Sequence, residues 1–376
     1  MKFIHTADWH LGYSNSLFNK NQNKLLAESR FSAIKNMFHY AKENRVNLIL
    51  CAGDQFDNGQ VENKEFMLRL YTLFNEFSSI KVIMVTGNHD PFCGNHIYEQ
   101  VDARLKPGNF FIIKNTEEIH CPEINTVVYA ASLTSKNGRS IPLNNINPEL
   151  KNCIQIGLVH GSAMIEGKYN KDDFPVPLDF CHKNSLDYLA LGHWHAYQEI
   201  NERTYYPGTI MPLHFTDTSG FLHIEIKEKG ALPLVKRVTE KPDFSWEFGM
   251  IEVNDLNIEE KIRNLGSKFT EKSIIKLEFT GLLNYDNYIY LNDMVSLVKQ
   301  NSFFSEIENN VKILPGDFEL DKISDSVLIK NIIQKINDME KNSCLNIDLP
   351  AELKKDLDTQ KILQRCKAII FDFLHK

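Results

Sequence analysis

Five short apolar runs in the first 200 residues each end in a block of polar side chains, and this arrangement limits what the chain can fold into. Apolar runs that alternate with longer amphipathic stretches predict the strands and helices of an α/β fold. Because parallel strands present their carboxyl ends at one edge of a sheet, the side chains that follow them should gather there. The blocks are Asp8-Trp9-His10, Gly53-Asp54-Gln55-Phe56-Asp57, Gly87-Asn88-His89-Asp90, His160-Gly161 and Gly192-His193-Trp194-His195.

The pattern of the remaining sequence predicts three parts. Residues 1–240 are predicted to form an α/β sandwich with a mixed sheet, because strands alternate with helices at first and then follow one another more closely. The stretch Glu240-Lys241-Pro242-Asp243 is typical of a linker between domains. A second, smaller α/β domain is predicted for residues 244–320, and residues 321–376 are predicted to be helical.

Composition excludes several classes of protein. The formal net charge is −7, so no large basic surface indicates a nucleic-acid partner, although a local positive site is compatible with this value. The seven cysteines are scattered without a Cys-x-x-Cys pair, which argues against a disulfide framework and against a thiolate zinc site. The opening Lys2-Phe3-Ile4-His5 predicts a strand rather than a signal peptide, and no apolar run is long enough to span a membrane. We therefore expect a cytoplasmic protein without membrane contact.

The residue types in the five blocks are those of a site for two divalent metal ions. Such a pair of ions clamps a phosphoryl group, and it needs mixed oxygen and imidazole ligands with one bridging carboxylate. Asp-x-His and His-x-His place alternate side chains on one face of an extended segment, so both can reach the same ions. Mixed nitrogen and carboxylate ligation favours manganese, iron or zinc over magnesium or calcium. Each block alone is compatible with an ordinary turn, but the ordered set of five predicts a metal centre.

The ordered set resembles the calcineurin-like metallophosphoesterase superfamily, whose pattern is D-x-H, G-D, G-N-H-[DE], H and G-H-x-H. The similarity extends over about residues 1–215 and includes Tyr206-Pro207-Gly208-Thr209. The segments 5–12 and 53–57 are similar to the SbcD-type DNA repair nucleases within that superfamily. The resemblance implies a metallophosphoesterase β-sandwich flanked by helices, with a smaller α/β capping domain that binds DNA and a helical C-terminal region.

The resemblance also implies a role for each residue of the pattern. Two divalent ions are implied, Mn²⁺ first, with Fe or Zn as alternatives. The ligands implied for the first ion are Asp8, His10 and His195. The ligands implied for the second ion are Asn88, His160 and His193, with Asp54 bridging the two ions.

Three further side chains lie close to these ligands in the sequence. The resemblance implies that His89 contacts the scissile phosphate or protonates the leaving oxygen. Asp90 would orient His89, which makes both of them candidate catalytic residues. Asp57 would orient a metal ligand, although archaeal and eukaryotic relatives often carry His at this position.

DNA and an ATPase are the partners that the resemblance implies. The candidate phosphate contacts are six basic residues near the predicted site: Lys20, Lys24, Lys136, Arg139, Lys168 and Lys171. Tyr13, Phe18 and Tyr169 are aromatic candidates for stacking on a base. The C-terminal helices would dock on an SbcC-like SMC-type ATPase, or else pack on their own capping domain. The segment Ile97–Leu105 is the candidate for a homodimer contact.

Three functions follow from these expectations. The first is a Mn-dependent DNA exonuclease, also cutting single strands internally, that acts in double-strand-break repair through a metal-bridged hydroxide. The second is a phosphodiesterase or phosphatase of the same superfamily that acts on a small nucleotide or a phosphoprotein. The third is a non-catalytic DNA-binding scaffold, which the presence of every expected ligand disfavours.

Replacing Lys168 and Lys171 together should weaken DNA binding and flatten its dependence on salt concentration. Each phosphate contact releases counterions, so the slope of log K against log [salt] should fall by about one unit per lost contact. Fluorescence anisotropy of a labelled DNA duplex over a series of salt concentrations measures this slope. An unchanged slope would remove both lysines from the DNA footprint.

Overall fold

The computed structural model describes residues 1–58, 64–94, 96–143, 146, 152–239, 243–314, 327–341 and 358–374. The chain divides into two compact units, Met1–Asp243 and Phe244–Lys376. Within the described residues, no helix has the length and apolar character needed to cross a membrane. The three-domain division expected from the sequence, with a separate tail from residue 321, stays a prediction.

Within the described residues, the first unit has twelve strands in two sheets and four α-helices. In chain order the strands are β1 (Lys2–Thr6), β2 (Leu48–Ala52), β3 (Lys81–Val85), β4 (Phe110–Ile112), β5 (Thr116–Cys121), β6 (Thr126–Ala131), β7 (Ile154–His160), β8 (Tyr188–Gly192), β9 (Gln198–Asn201), β10 (Thr204–Tyr206), β11 (Phe221–Glu225) and β12 (Leu234–Val238). The helices, counted over the described residues, are α1 (Lys20–Glu43), α2 (Lys64–Glu76), α3 (Ile97–Gln100) and α4 (Phe180–Lys183).

Both sheets of the first unit are mixed. The first sheet has the order β12-β11-β1-β2-β3-β4, in which β1 to β4 are parallel and β11 runs antiparallel to β1. The second has the order β5-β6-β7-β8-β10-β9, in which β6, β7, β8 and β10 are parallel. The predicted α/β sandwich with mixed sheets is therefore confirmed.

Apolar side chains of the two sheets share one buried core. Leu50 of β2 and Ile83 of β3 belong to the same cluster as Val128 of β6 and Leu158 of β7. Every residue of β2 is buried, as expected for a parallel strand that is covered on both faces. Helix α1 begins with a capping box formed by Asn19 and Gln22 and packs against α2, where the Phe38 and Phe74 rings lie 5.5 Å apart.

Pairing between the first two strands continues past their ends. The backbone N–H groups of Asp8 and His10 donate to the carbonyl oxygens of Gly53 and Asp54, each over 3.0 Å. Asp8, His10 and Asp54 have φ values of +53°, +44° and +54°. Backbone in this region is strained for residues other than glycine, and such strain is concentrated at functional sites.

Two glycines allow the sheets to approach each other at this edge. Gly53 has a φ of +92°, and a Cβ at this position would overlap the imidazole ring of His160. A Cβ on Gly192 would overlap the carbonyl oxygen of Ala52, which belongs to the other sheet. The residue type at both positions is therefore fixed by the close contact between the strand ends.

The second unit is a parallel three-stranded sheet with helices. Its described elements are β13 (Ser245–Val253), α5 (Ile258–Lys268), β14 (Ser273–Leu283), α6 (Tyr285–Asn301), β15 (Phe304–Ile313), α7 (Val327–Lys341) and α8 (Thr359–Leu374). Ile262 of α5 and Leu291 of α6 pack on Leu277 and Phe279 of β14. Strand β15 was not predicted, because its residues 305–310 are mostly polar and form no apolar run.

The described C-terminal helices pack on each other. Lys367 of α8 is paired with Glu340 of α7 over 2.6 Å, and Leu363 and Ala368 are buried. This packing accounts for part of the apolar face of α8. Residues 321–326 and 342–357, which fall in the predicted helical tail, lie outside the described residues.

Most large apolar side chains of the segment expected to form a homodimer contact are buried within the first unit. Ile97, Tyr98 and Val101 are buried, whereas the Leu105 side chain is 52% exposed. Dimerisation through Ile97–Leu105 therefore stays a prediction, with Leu105 as its one exposed large apolar side chain among the described residues of this segment.

Gly192→Ala should lower the free energy of unfolding of the first unit by about 1–3 kcal/mol, because the added methyl group must displace the backbone of β2 or β8. Differential scanning calorimetry would show this as a lower transition temperature. Gly108→Ala is the matched control, because a Cβ at Gly108 meets no atom within 4 Å. A Gly192→Ala transition equal to that of the wild type would contradict the close contact.

Candidate metal centre

The structure brings the seven predicted ligands together at one edge of the first unit. Among the described residues, three groups have ligand atoms that all lie within 4.8 Å of one another. These groups are Asp8 with His10 and His195, His10 with Asp54 and His89, and Asp8 with Asp54 and His160. Asn88 joins them through its Oδ1, which lies 2.8 Å from Nε2 of His160 and 3.2 Å from Nδ1 of His193.

Burial makes this cluster costly without a bound cation. Asp8, His10, Asp54 and His160 are each no more than 1% exposed. Burial raises the pKa of Asp8 to about 7 and lowers the pKa of His160 to about 4, so each group is biased toward its neutral form. Burial alone would raise the pKa of Asp54, but His160, His10 and His89 together lower that pKa below its usual value. A positive ion between these side chains would compensate the buried carboxylates.

The hydrogen bonds of His160 and His193 identify which ring nitrogens carry a lone pair. Nδ1 of His160 lies 2.8 Å from the carbonyl oxygen of Ala52, which only accepts, so Nδ1 is the donor and Nε2 is unprotonated. Nε2 of His193 likewise donates to Oδ2 of Asp173 over 2.7 Å, which leaves Nδ1 unprotonated in the neutral ring. Both lone pairs face Oδ1 of Asn88, and Oδ2 of Asp54 lies 3.4 Å from Nε2 of His160. Four acceptor atoms thus converge, as expected for a cation site.

His10 and His195 form a second convergence of acceptors. Their Nε2 atoms lie 3.1 Å apart, while the Nδ1 atoms face Asp57 and Asp217, each at 3.5 Å. Carboxylates beside the Nδ1 atoms favour protons there, which leaves the two Nε2 lone pairs facing each other. Two nitrogen ligands about 2.1 Å from one ion, at roughly right angles, are about 3 Å apart. The donor set therefore fits a divalent ion on this side as well.

His89 lies at the open side of the cluster. Its side chain is 46% exposed, its ring centroid lies 4.7 Å from that of His10, and its backbone N–H donates to Oδ1 of Asp54 over 2.9 Å. Nδ1 of His89 lies 3.5 Å from Oδ1 of Asp57, and this contact raises the pKa of His89 to about 9. The ring is thus placed to hold a proton beside the metal cluster.

The structure corrects the expected role of Asp90. Its carboxylate is fully buried and accepts from the backbone N–H groups of Gly87 and Phe56, at 2.7 and 3.1 Å. The carboxylate beside the His89 ring is that of Asp57. Buried polar groups are almost always hydrogen-bonded, and the Asp90 carboxylate is satisfied by these two backbone N–H groups. Asp90 therefore holds the turns that carry Asn88 and Asp54.

Two carboxylates at the site were missed from the sequence. Asp173 contacts His193, and Asp217 faces His195 while its Oδ2 also accepts from the backbone N–H groups of Leu213 and His214. Both lie in loops without a recognisable motif. The expectation that ligand histidines have an acidic partner predicts such residues but not their positions.

The candidate DNA contacts lie on the surface of the first unit. The five lysines are exposed: Lys20, Lys24, Lys136, Lys168 and Lys171. Arg139 is exposed as well and is paired with Asp172. Tyr169 and Lys171 line a surface cavity of about 490 Å³ together with Arg139. Phe18 is only 6% exposed, so the prediction that it stacks on a base is wrong, whereas Tyr13 is partly exposed beside His10.

Comparison with known families agrees with this geometry. The family model of the calcineurin-like phosphoesterases matches residues 1–197, which is more than half of the chain. The chain therefore belongs to the calcineurin-like phosphoesterase family. Members act on phosphate esters with divalent metal ions, and the Asp and His cluster described above is a possible binding site for such ions.

Two curated relatives give the comparison more detail. The chain is 25% identical over 369 residues to the SbcD component of the nuclease SbcCD of Staphylococcus epidermidis (strain ATCC 12228 / FDA PCI 1200), covering 90% of this chain and 94% of that protein. It is 27% identical over 237 residues to the uncharacterized metallophosphoesterase YhaO of Bacillus subtilis (strain 168). The second match covers 58% of this chain and 55% of YhaO, so the chain spans about half the length of that relative.

Proposed function

We propose that this protein is a Mn-dependent DNA exonuclease, which also cuts single strands internally, in double-strand-break repair. The observation that carries the hydrolase part is the convergence of histidine lone pairs, Asn88 Oδ1 and buried carboxylates at one edge of the sandwich. The similarity to the SbcD component of the nuclease SbcCD over 90% of the chain supports DNA as the substrate.

The proposed ligands divide into two sets that share one carboxylate. Asp8, His10 and His195 would hold one ion, and Asn88, His160 and His193 would hold the other. Asp54 lies between the sets, since its Oδ2 is 3.8 Å from Nε2 of His10 and 3.4 Å from Nε2 of His160. When bound, two divalent ions polarise a phosphodiester and activate a water molecule for attack. Mixed nitrogen and carboxylate ligation favours Mn²⁺, Fe or Zn over Mg²⁺ or Ca²⁺. The resemblance to the SbcD-type nucleases is the reason for proposing Mn²⁺ first, with Fe and Zn as alternatives.

His89 is the proposed catalytic acid. Its ring is exposed at the open side of the cluster, where a phosphodiester would approach. The carboxylate of Asp57 stabilises a proton on Nδ1, which leaves Nε2–H available to bind a phosphate oxygen or to protonate the leaving oxygen. Asp57 orients His89 in this proposal, and Asp90 supports the backbone that carries it.

Further parts of the proposal concern binding partners. Lys20, Lys24, Lys136, Arg139, Lys168 and Lys171 are the proposed contacts to the DNA backbone. The second unit would act as a capping domain that binds DNA, and an SbcC-like SMC-type ATPase would dock on the C-terminal helices. Ile369 of α8 is 63% exposed and supports such docking. A cytoplasmic location is part of the same proposal.

His89→Ala should reduce the degradation of end-labelled linear DNA in Mn²⁺ by about 10²–10⁴-fold, because it removes the proposed proton donor. Asp54→Ala should abolish the activity, because it removes the side chain shared by both ion sites. Denaturing gels over a time course measure these rates. His182→Ala is the control, because His182 is an exposed histidine paired with Glu202.

The same variants distinguish the two enzyme functions. If the wild type leaves DNA intact but hydrolyses bis-p-nitrophenyl phosphate, and both variants lose that activity, the protein is a phosphodiesterase of the family and the repair function is rejected. If neither substrate is cleaved by the wild type in Mn²⁺, Fe²⁺ or Zn²⁺, the enzymatic proposal is rejected as a whole.

A further inference from the structure

The contact between Asp173 and His193 is made by the loop of residues 161–179 in the first unit. The bond from Nε2 of His193 to Oδ2 of Asp173 measures 2.7 Å, and it is shorter than the 3.5 Å contacts of His10 and His195 with their carboxylates. Asp173 lies in the irregular segment between β7 and α4. The position of this carboxylate therefore depends on what holds the segment.

Backbone hydrogen bonds to two other parts of the chain hold the segment around Asp173. The N–H of Ser162 donates to the carbonyl oxygen of Asp173 over 3.2 Å. On the other side, the N–H of Gly138 donates to the carbonyl oxygen of Asp172, and the N–H of Phe174 donates to that of Gly138, over 2.9 and 2.8 Å. The carboxylate of Asp173 is thus placed by two separate parts of the chain.

The contact between Phe174 and Gly138 is unusually close. Phe174 has a φ of +50°, a strained value for an aromatic residue, and a Cβ at Gly138 would overlap its ring. Such strain persists only where the surrounding structure over-determines it. The close contact with Gly138 therefore fixes the position of Phe174, and with it the backbone of the adjacent Asp173.

We infer that Asp173 is a positioning residue for the second ion site, and that the contact between Gly138 and Phe174 sets its place. The carboxylate of Asp173 accepts the Nε2 proton of His193 and keeps Nδ1 unprotonated beside Oδ1 of Asn88. This inference rests on the two-ion centre proposed above. It adds a determinant of metal occupancy that lies outside the ligand set.

Replacing Asp173 by Asn should move the proton of the His193 ring. The neutral amide of Asn removes the charged acceptor of the Nε2 proton, and with its N–H facing Nε2 it places the ring proton on Nδ1 and blocks the lone pair that faces the ion. Loss of such an outer partner costs about 10–100-fold in metal affinity. The first ion site should keep its affinity, because His10 and His195 face Asp57 and Asp217 instead.

The test is a Mn²⁺ titration of the full chain, followed by the EPR signal of free Mn²⁺. We expect two sites in the wild type, and in Asp173→Asn one of them weakened about 10–100-fold. Asp172→Asn is the matched control, because Asp172 is the adjacent, exposed carboxylate and is paired with Arg139. The Asp172→Asn protein should bind both ions as the wild type does. Imidazole ¹⁵N shifts of metal-free protein should show the His193 proton on Nε2 in the wild type and on Nδ1 in Asp173→Asn.

A second variant keeps the inference testable if Asp173→Asn does not fold. Gly138→Ala changes no atom that faces the ions, yet it should weaken the same site. Asp173→Asn with two unchanged sites would overturn the inference. An equal loss at both sites with a lowered thermal midpoint of the metal-free protein would also overturn it, because that result indicates a structural role.

The nuclease proposal and the Asp173 inference are rejected by different results. A wild type that binds two Mn²⁺ ions but leaves DNA intact would reject the nuclease proposal, while the Asp173 inference would still stand or fall on the titration. A wild type that binds fewer than two ions would reject both.

Discussion

The hydrogen bond from Nδ1 of His160 to the carbonyl oxygen of Ala52 joins the two sheets of the first unit at the edge where the polar side chains gather. It spans 2.8 Å between the last residue of β7 and the last residue of β2. Since the carbonyl only accepts, the bond fixes the ring proton on Nδ1 and aims the Nε2 lone pair at Asn88 and Asp54. Packing of the sandwich and the geometry of the proposed metal centre thus depend on the same contact. The two glycines at the strand ends, Gly53 and Gly192, are what allow the sheets to come this close.

Hydrogen bonds stabilise the strained backbone at this edge. Asp8, His10 and Asp54 adopt left-handed φ values, and His193 has a φ of +117°. The N–H of His193 donates to the Asp8 carboxylate at 3.1 and 3.2 Å, and the turns after β1 and β2 continue the strand pairing. The conformations are therefore held by hydrogen bonds that also orient the ligands, so strain and preorganisation have the same source.

The gathering of polar side chains could be predicted from the sequence because each block lies at or shortly after the end of an apolar strand, whereas the individual ligands were implied by the family resemblance. The run that predicted the opening strand, Lys2-Phe3-Ile4-His5, lies within β1, since strands of a buried parallel sheet form continuous apolar runs. Strand β15 escaped prediction because its residues 305–310 are mostly polar. Asp173 and Asp217 could not be located, since they reach the site through loop conformation rather than through spacing in the sequence. The same reason explains why the sequence favoured Asp90 over Asp57 as the partner of His89.

The claim that one edge of the sandwich holds two metal ions is tested most directly by anomalous diffraction from crystals grown with Mn²⁺. We expect two peaks, one bounded by Asp8, His10 and His195 and the other by Asn88, His160 and His193. Both peaks should lie within ligand distance of Asp54. A single peak, or peaks away from these side chains, would show that this edge does not hold the two proposed ions.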